Sequence, residues 1–217
     1  MSCSIDLKDI CLSLDGRELF TNIWLNVSHK EKVAIVGANG CGKTTLLEML
    51  AGLKSKNSGI FELFHTKIEE KKDYKPLREL VGYLFQDSND QFLSPIVKDD
   101  IAFSLLARGM DKEEAQKRVD MILEDFDIVH LKEKIVYNLS GGEKKLIALA
   151  GVLVCEPKLM LLDEPTNALD KQMQKKLSVI LKKIDKSIIV VSHHKEFVED
   201  FADTIYEVQD KKLVRIT

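Results

Sequence analysis

The stretch Gly37-Ala38-Asn39-Gly40-Cys41-Gly42-Lys43-Thr44 restricts this chain more than any other. It fits the pattern G-x-x-x-x-G-K-[ST], in which glycines let backbone N–H groups turn inward around phosphate oxygens with no Cβ in the way. The pattern has meaning only when a buried strand leads into it and a helix leaves it. Both flanks are present. Val33-Ala34-Ile35-Val36 is continuously apolar, as a strand covered on both faces must be, and Thr44 to Leu50 reads as a helix whose N-terminus adds partial positive charge. A glycine-rich turn with a chance Lys-Thr after it would not need these neighbours. The chain is therefore expected to hold anionic phosphates on its backbone, with Lys43 along the β- and γ-phosphates and the Thr44 hydroxyl as a hard oxygen donor for Mg2+.

Two more runs, Leu159 to Leu162 and Ile188 to Val191, are apolar throughout and end in polar residues. Strands of this kind separated by helical stretches predict a largely parallel sheet flanked by helices. The first run ends in Asp163-Glu164, where Asp163 can hold Mg2+ through a water and Glu164 can polarise an attacking water. Nearer the start the apolar residues alternate, Ile5/Leu7 and then Ile23/Leu25/Val27 about Asp15-Gly16, which predicts antiparallel strands with one wet face. Residues 87 to 155 read mostly as helix, at Val97 to Ala107, Lys112 to Phe126 and Glu143 to Cys155. Thr204 to Val208 and Lys212 to Ile216 read as a hairpin, and the charged stretches Glu69 to Lys72 and Lys182-Lys183 as solvated faces.

A formal net charge of −3 gathers neither nucleic acid nor anionic lipid. No apolar run approaches the roughly 20 residues that span a bilayer, and a start containing Asp6 and Asp9 does not read as a signal peptide. The expectation is a cytoplasmic protein that meets a membrane only through a partner. Cys3, Cys11, Cys41 and Cys155 form no CxxC pair and read as reduced thiols.

Between the phosphate loop and Asp163-Glu164 lies Leu139-Ser140-Gly141-Gly142-Glu143, which resembles the LSGGQ signature of the ABC ATPases. The order of further landmarks is similar to that family too: Gln86 after the strand Val81 to Phe85, Ala168-Leu169-Asp170, and Ser192-His193. The resemblance covers nearly the whole chain. It implies an α/β P-loop NTPase with a RecA-like parallel sheet core, an N-terminal antiparallel β subdomain and an inserted α-helical subdomain. Residues 1–86 and 156–217 would form the core, and 87–155 the helical subdomain, within one domain.

The resemblance also implies a site. ATP would be held by Gly37, Ala38, Asn39, Gly40, Cys41, Gly42, Lys43, Thr44 and Thr45, with Mg2+ on Thr44, Gln86 and Asp163. Glu164, His193, Gln86 and Lys43 would carry the chemistry, and Ser140, Gly141, Gly142 and Asp170 would complete the site of a facing subunit, an identical chain or a paralogous ATPase. Leu14 stands where the family has an aromatic that stacks on adenine, Glu143 replaces the signature glutamine, and His194 stands where Asp is usual. Leu84 to Phe92 and Ser94 to Phe103 look like the ATPase subunits of energy-coupling-factor importers, above all those for cobalt and nickel. That stretch, Gln86 to Phe103, is where the family docks an integral-membrane transporter subunit. The likeness implies import of a transition metal ion or vitamin. Many members of that group carry a C-terminal extension beyond a point like Thr217, so a monomer is expected without nucleotide. Competing readings are an ABC importer subunit for another cargo, and, with no basic tail, missing catalytic residue or acceptor site to support them here, a non-transport ABC ATPase, a catalytically silent nucleotide-binding module and a P-loop kinase.

Overall fold

The computed structural model describes residues 3–217, with side chains from Ser4 onward. In chain order the elements are β1 (Cys3–Leu14), β2 (Arg17–Ser28), β3 (Lys32–Val36), α1 (Lys43–Leu50), β4 (Ser58–Leu63), β5 (Thr66–Lys67), β6 (Val81–Leu84), α2 (Val97–Ala107), α3 (Lys112–Asp125), α4 (Gly141–Leu153), β7 (Leu159–Asp163), α5 (Lys171–Lys183), β8 (Ser187–Val191), α6 (Lys195–Phe201), β9 (Thr204–Gln209) and β10 (Lys212–Arg215).

The continuous apolar strands sort by period two, as side chains alternating across a pleated strand must. Ala34, Met160, Leu162, Ile188 and Val190 enter one core. Val33, Ile35, Leu159, Leu161, Ile189 and Val191 enter the other. A polar residue at any of these positions would be buried, which is why β3, β7 and β8 are apolar along their length. They form the middle of a sheet ordered β10-β9-β3-β8-β7-β6, parallel except for β10 at the edge. In the second sheet, ordered β2-β1-β4-β5, β1 and β2 are joined at Asp15-Gly16, both in the left-handed region. Its inward residues Ile23, Leu25 and Val27 are buried while Trp24 between them points out and donates from Nε1 to Asp9 Oδ1 at 2.9 Å. This sheet and α1 cover one face of the parallel sheet, and α2 to α6 cover the other.

Several boundaries differ from the sequence expectation. Helix α4 begins at Gly141 rather than Glu143 and ends at Leu153 rather than Cys155. Its start is set by a capping box: the Glu143 N–H donates to Ser140 Oγ at 3.4 Å and the Ser140 N–H to Glu143 Oε2 at 2.8 Å. The two glycines are thus the first turn itself. Lys182 and Lys183 form the last turn of α5, where cations favour the helix C-terminus. Glu69 to Lys72 lead into a 3-10 segment, Lys71–Leu80, that seats Tyr74 and Leu77 in the core. Cys11, Cys41 and Cys155 are free thiols, and the Cys3 side chain lies outside the described residues. Among the described residues no helix is long and apolar enough to cross a membrane. The parallel strands β3, β6, β7 and β8 all point their C-terminal ends the same way, which is where open α/β sheets bind ligands.

Candidate functional site

After β3 the chain turns through Gly37 to Gly42 into α1. Gly42 N-caps that helix with φ 104°, and a Cβ there would lie 2.9 Å from the Phe20 ring and 3.1 Å from Leu19 Cβ. Only glycine lets the helix start press this closely on β2. Lys43 Nζ donates to the carbonyls of Gly37 at 2.8 Å and Ala38 at 2.9 Å, closing the loop on its own cation. Above it opens a cleft of about 850 Å3, a usual size for a small-ligand site. Asn39, Gly40, Gly42, Lys43, Thr44 and Thr45 line its floor, and Gln86, Asp163, Glu164 and His193 arrive from the ends of β6, β7 and β8. Gly37, Ala38 and Cys41 lie behind the floor, the first two as acceptors for Lys43 and the third with its thiol 3.9 Å from Nζ. Leu14, Asp15 and Arg17 form the outer wall, and among the described residues no Phe, Tyr or Trp lines the cleft for a nucleobase to stack on.

Asp163 is 1% exposed, and neither carboxylate oxygen has a hydrogen-bond partner. Burial raises its pKa, Glu164 adds to the shift, and the nearby Thr44 hydroxyl opposes it without reaching hydrogen-bonding geometry. Buried polar atoms are rarely left unpaired, so the site is built for a partner of opposite charge. Among the described residues no three or more His, Cys, Asp or Glu come together as a metal cage. A hard cation that takes one carboxylate, one hydroxyl and otherwise phosphate and water oxygens fits, and that is how Mg2+ binds.

Glu164 follows in the left-handed region, φ 47°, and its N–H donates to Val191 O at 2.9 Å. This aims the side chain across the end of β8. A carboxylate only accepts, so His193 Nδ1, 3.0 Å from Glu164 Oε2, is the donor, and the His193 N–H reaches the same oxygen at 3.4 Å. Ser192 Oγ accepts the His194 N–H at 3.2 Å and lies 3.2 Å from Thr166 Oγ1, while the His193 and His194 rings sit 4.2 Å apart. The His193 ring is thereby held by Glu164 and by the His194 ring.

A second groove of about 530 Å3 continues from the cleft past Gln86 to Gly141, sharing Thr44, Gln86 and Asp163 with it. Ser140 and Gly142 line neither space, and the Ser140 hydroxyl donates to Glu143 Oε2 at 2.6 Å, which with the Ser140 N–H holds the Glu143 pKa below its ordinary range. Asp170 caps α5, accepting from Met173 N–H at 2.8 Å, and also lies outside both. The structure thus gathers the phosphate loop, Gln86, Asp163, Glu164 and His193, and leaves Ser140, Gly142 and Asp170 outside both spaces, with Gly142 close against Ala168 and Leu169. Sequence reasoning missed Asn167, which lines both spaces, and Lys145. Lys145 is 3% exposed, its pKa is lowered by burial, and it donates to the carbonyls of Phe85 at 3.2 Å and Gln86 at 2.8 Å. Its helical spacing hid it among the charges of α4.

A family model described as ABC transporter matches residues 20–167, more than half of the chain. Relatives include an uncharacterized ABC transporter ATP-binding protein of Haemophilus influenzae, 37% identical over 199 residues covering 92% of each protein. A putative ABC transporter ATP-binding protein of Brucella suis is 37% identical over 210 residues, 97% of this chain and 87% of that one. Among solved structures, cbiO1 from Clostridium perfringens, part of the ABC transporter complex cbiONQ, matches with a TM-score of 0.88 and 32% identity over 99% of this chain and 88% of that one. The ATP-binding cassette MJ0796, solved as a dimer in a post-hydrolysis state bound to ADP and Pi, matches with a TM-score of 0.86 and 26% identity over 97% of both.

Proposed function

This chain belongs to the ABC transporter family, as an ATP-binding and ATP-hydrolysing subunit, and on that premise we propose that two copies, or one copy and a paralogue, close head to tail around two ATP molecules. Each site is bounded by Lys43, Thr44, Gln86, Asp163, Glu164 and His193 of one chain and by Ser140 to Gly142 of the other, with Asp170 near the junction. The observation that carries this reading is the convergence of the first six residues on one cleft, while Ser140 and Gly142 lie outside it. A helix N-terminus outside its own chain's cleft, here holding only the Glu143 carboxylate of its capping box, can present its remaining N–H groups to an anion of another chain.

The phosphate loop binds the triphosphate through its backbone, and Lys43 moves its donors from the Gly37 and Ala38 carbonyls to phosphate oxygens. Mg2+, held by Thr44, Gln86 and Asp163, would neutralise the charge that builds on the phosphates. Glu164 accepts a proton from the attacking water, and His193 keeps Glu164 Oε2 fixed while facing the γ-phosphate. Positioning and charge stabilisation of a loose phosphoryl transition state supply most of the rate. Closure follows ATP because only the closed pair offers contacts from both chains to the γ-phosphate.

The same reading treats residues 87–155 as one unit that carries this motion to a membrane partner docked near Gln86 to Phe103, on the cytoplasmic face. Leu93 and Phe103 are exposed there. Likeness of that stretch to energy-coupling-factor ATPases, and of the chain to cbiO1 of the cbiONQ complex, supports import of cobalt, nickel or a vitamin. The deciding experiment is Glu164→Gln. It should bind ATP and form a dimer by light scattering while turnover drops at least about a hundredfold, and near-normal steady-state hydrolysis would remove Glu164 from its role.

A further inference from the structure

The two halves of the proposed site are joined inside each chain. Segment 85–91 leaves β6 and is fastened to α4 at three points. Lys145 Nζ donates to the carbonyls of Phe85 and Gln86, at 3.2 and 2.8 Å. Gln91 accepts from the Phe85 N–H at 3.3 Å and donates to the Ala148 carbonyl at 2.9 Å, one helical turn beyond Lys145. Lys144 Nζ donates to Asn89 Oδ1 at 3.1 Å. Of these, Lys145 is the costly one. Burying an ammonium is unfavourable unless its donors are satisfied, and its same-face neighbours Ala148 and Leu149, both buried, show that this surface accepts apolar side chains. What the cation does that a leucine could not is bind two carbonyls at the point where Gln86 enters the cleft.

We infer that Lys145 is a positioning residue for ATP hydrolysis: a buried cation that locks the backbone at Gln86 to the first turns of α4. It does not line the nucleotide cleft and reaches only the groove beside it. On the reading above, Gln86 serves the chain's own ATP and the Ser140 to Gly142 turn, less than two helical turns from Lys145, serves the partner's. Lys145 therefore holds a residue of one site at fixed separation from a residue group of the other. A movement of α4 that grips or releases the partner's γ-phosphate shifts Gln86 in the chain's own cleft. The two sites of a dimer are coupled through this strut, and hydrolysis is cooperative in ATP.

The test compares wild type, Lys145→Met, Lys145→Arg and Gln91→Met in steady-state hydrolysis across ATP concentrations, with thermal midpoints and nucleotide affinity measured on each. Lys145→Met keeps the length and loses charge and donors. It should lower the Hill coefficient from about 2 toward about 1 and kcat about tenfold, with nucleotide affinity changed less than about twofold. Lys145→Arg, which retains donors, should recover cooperativity. Gln91→Met cuts only the parallel bridge and should lower the coefficient in the same direction, so the inference stays testable if Lys145→Met does not fold. A folded Lys145→Met with unchanged coefficient and kcat overturns the strut and leaves the shared site standing, as does an equal loss of binding and turnover. A wild-type coefficient of 1 overturns it as well. If Glu164→Gln never dimerises with ATP, the shared site itself falls, and the strut with it.

Discussion

A carboxylate that is 1% exposed with both oxygens unpaired works against folding, and Asp163 is such a group. Active sites store unfavourable electrostatics of this kind because the ligand relieves it. Asp163→Asn keeps the shape and removes the charge, so the nucleotide-free variant should be more stable than its parent by about 1 kcal/mol or more. For a chain of this size that is roughly 2–4 °C in thermal midpoint. The same variant should lose nearly all magnesium-dependent hydrolysis. An unchanged or lower midpoint without nucleotide would show that the carboxylate is not strained. Glu164 differs, since His193 grips its Oε2 through both backbone and ring. Two adjacent acids at the end of β7 thus have different surroundings, which fits the cation role proposed for Asp163 and the proton role proposed for Glu164.

Elements are fixed by their ends. Helix α1 starts on Gly42 and stops on a Schellman motif, in which the Leu53 N–H donates to Glu48 O at 2.9 Å and the Gly52 N–H to Met49 O at 3.0 Å. Gly52 has φ 71°, and a Cβ on it would lie 2.5 Å from the Tyr74 ring, itself tied by its hydroxyl to the Leu50 carbonyl. This stop directs the chain away from the nucleotide end and under the antiparallel sheet. Gly52→Ala should cost about 2 kcal/mol or more, from left-handed strain and overpacking together. Equilibrium urea denaturation would measure it, and a loss under about 0.5 kcal/mol would mean that Tyr74 moves aside freely. The capping box of α4 is the opposite case. It spends the Ser140 hydroxyl on Glu143, so the turn is ordered within the single chain.

At the scale of the molecule, two cores meet across one parallel sheet, and the helices of residues 97–153 share theirs with α5, α6 and a face of that sheet. The nucleotide cleft lies at the sheet's C-terminal edge, and Ser140, outside that cleft, is not needed to fill it. Ser140→Arg should therefore bind ATP as a single chain nearly as well as wild type, while ATP-driven dimerisation and turnover are lost. Part of any stability change, about 1 kcal/mol, belongs to the broken cap. Undiminished turnover by this variant would argue that each chain works alone. The exposed Leu93 and Phe103 lie on the far side of segment 85–91 in sequence from Gln86, so a partner docked there would act on the cleft through a segment already bonded to α4.

Legible in the order of residues were the strand, glycine turn and helix around Lys43, the doubly covered strands, the acids at the end of β7 and the histidine after β8. Each is written in local spacing: a strand buried on both faces has no polar position, and the turn into the helix needs glycine where the backbone is left-handed and packed too closely for a Cβ, as at Gly42. Packing in three dimensions settled that β4 adds to β1, that Asp170 is spent on capping α5, that Asp163 is left unpaired, and that Lys145 finds the carbonyls of Phe85 and Gln86. The physical reason is that every residue carries a carbonyl, so nothing in the order of amino acids marks which two will come to face a buried lysine some 60 positions away.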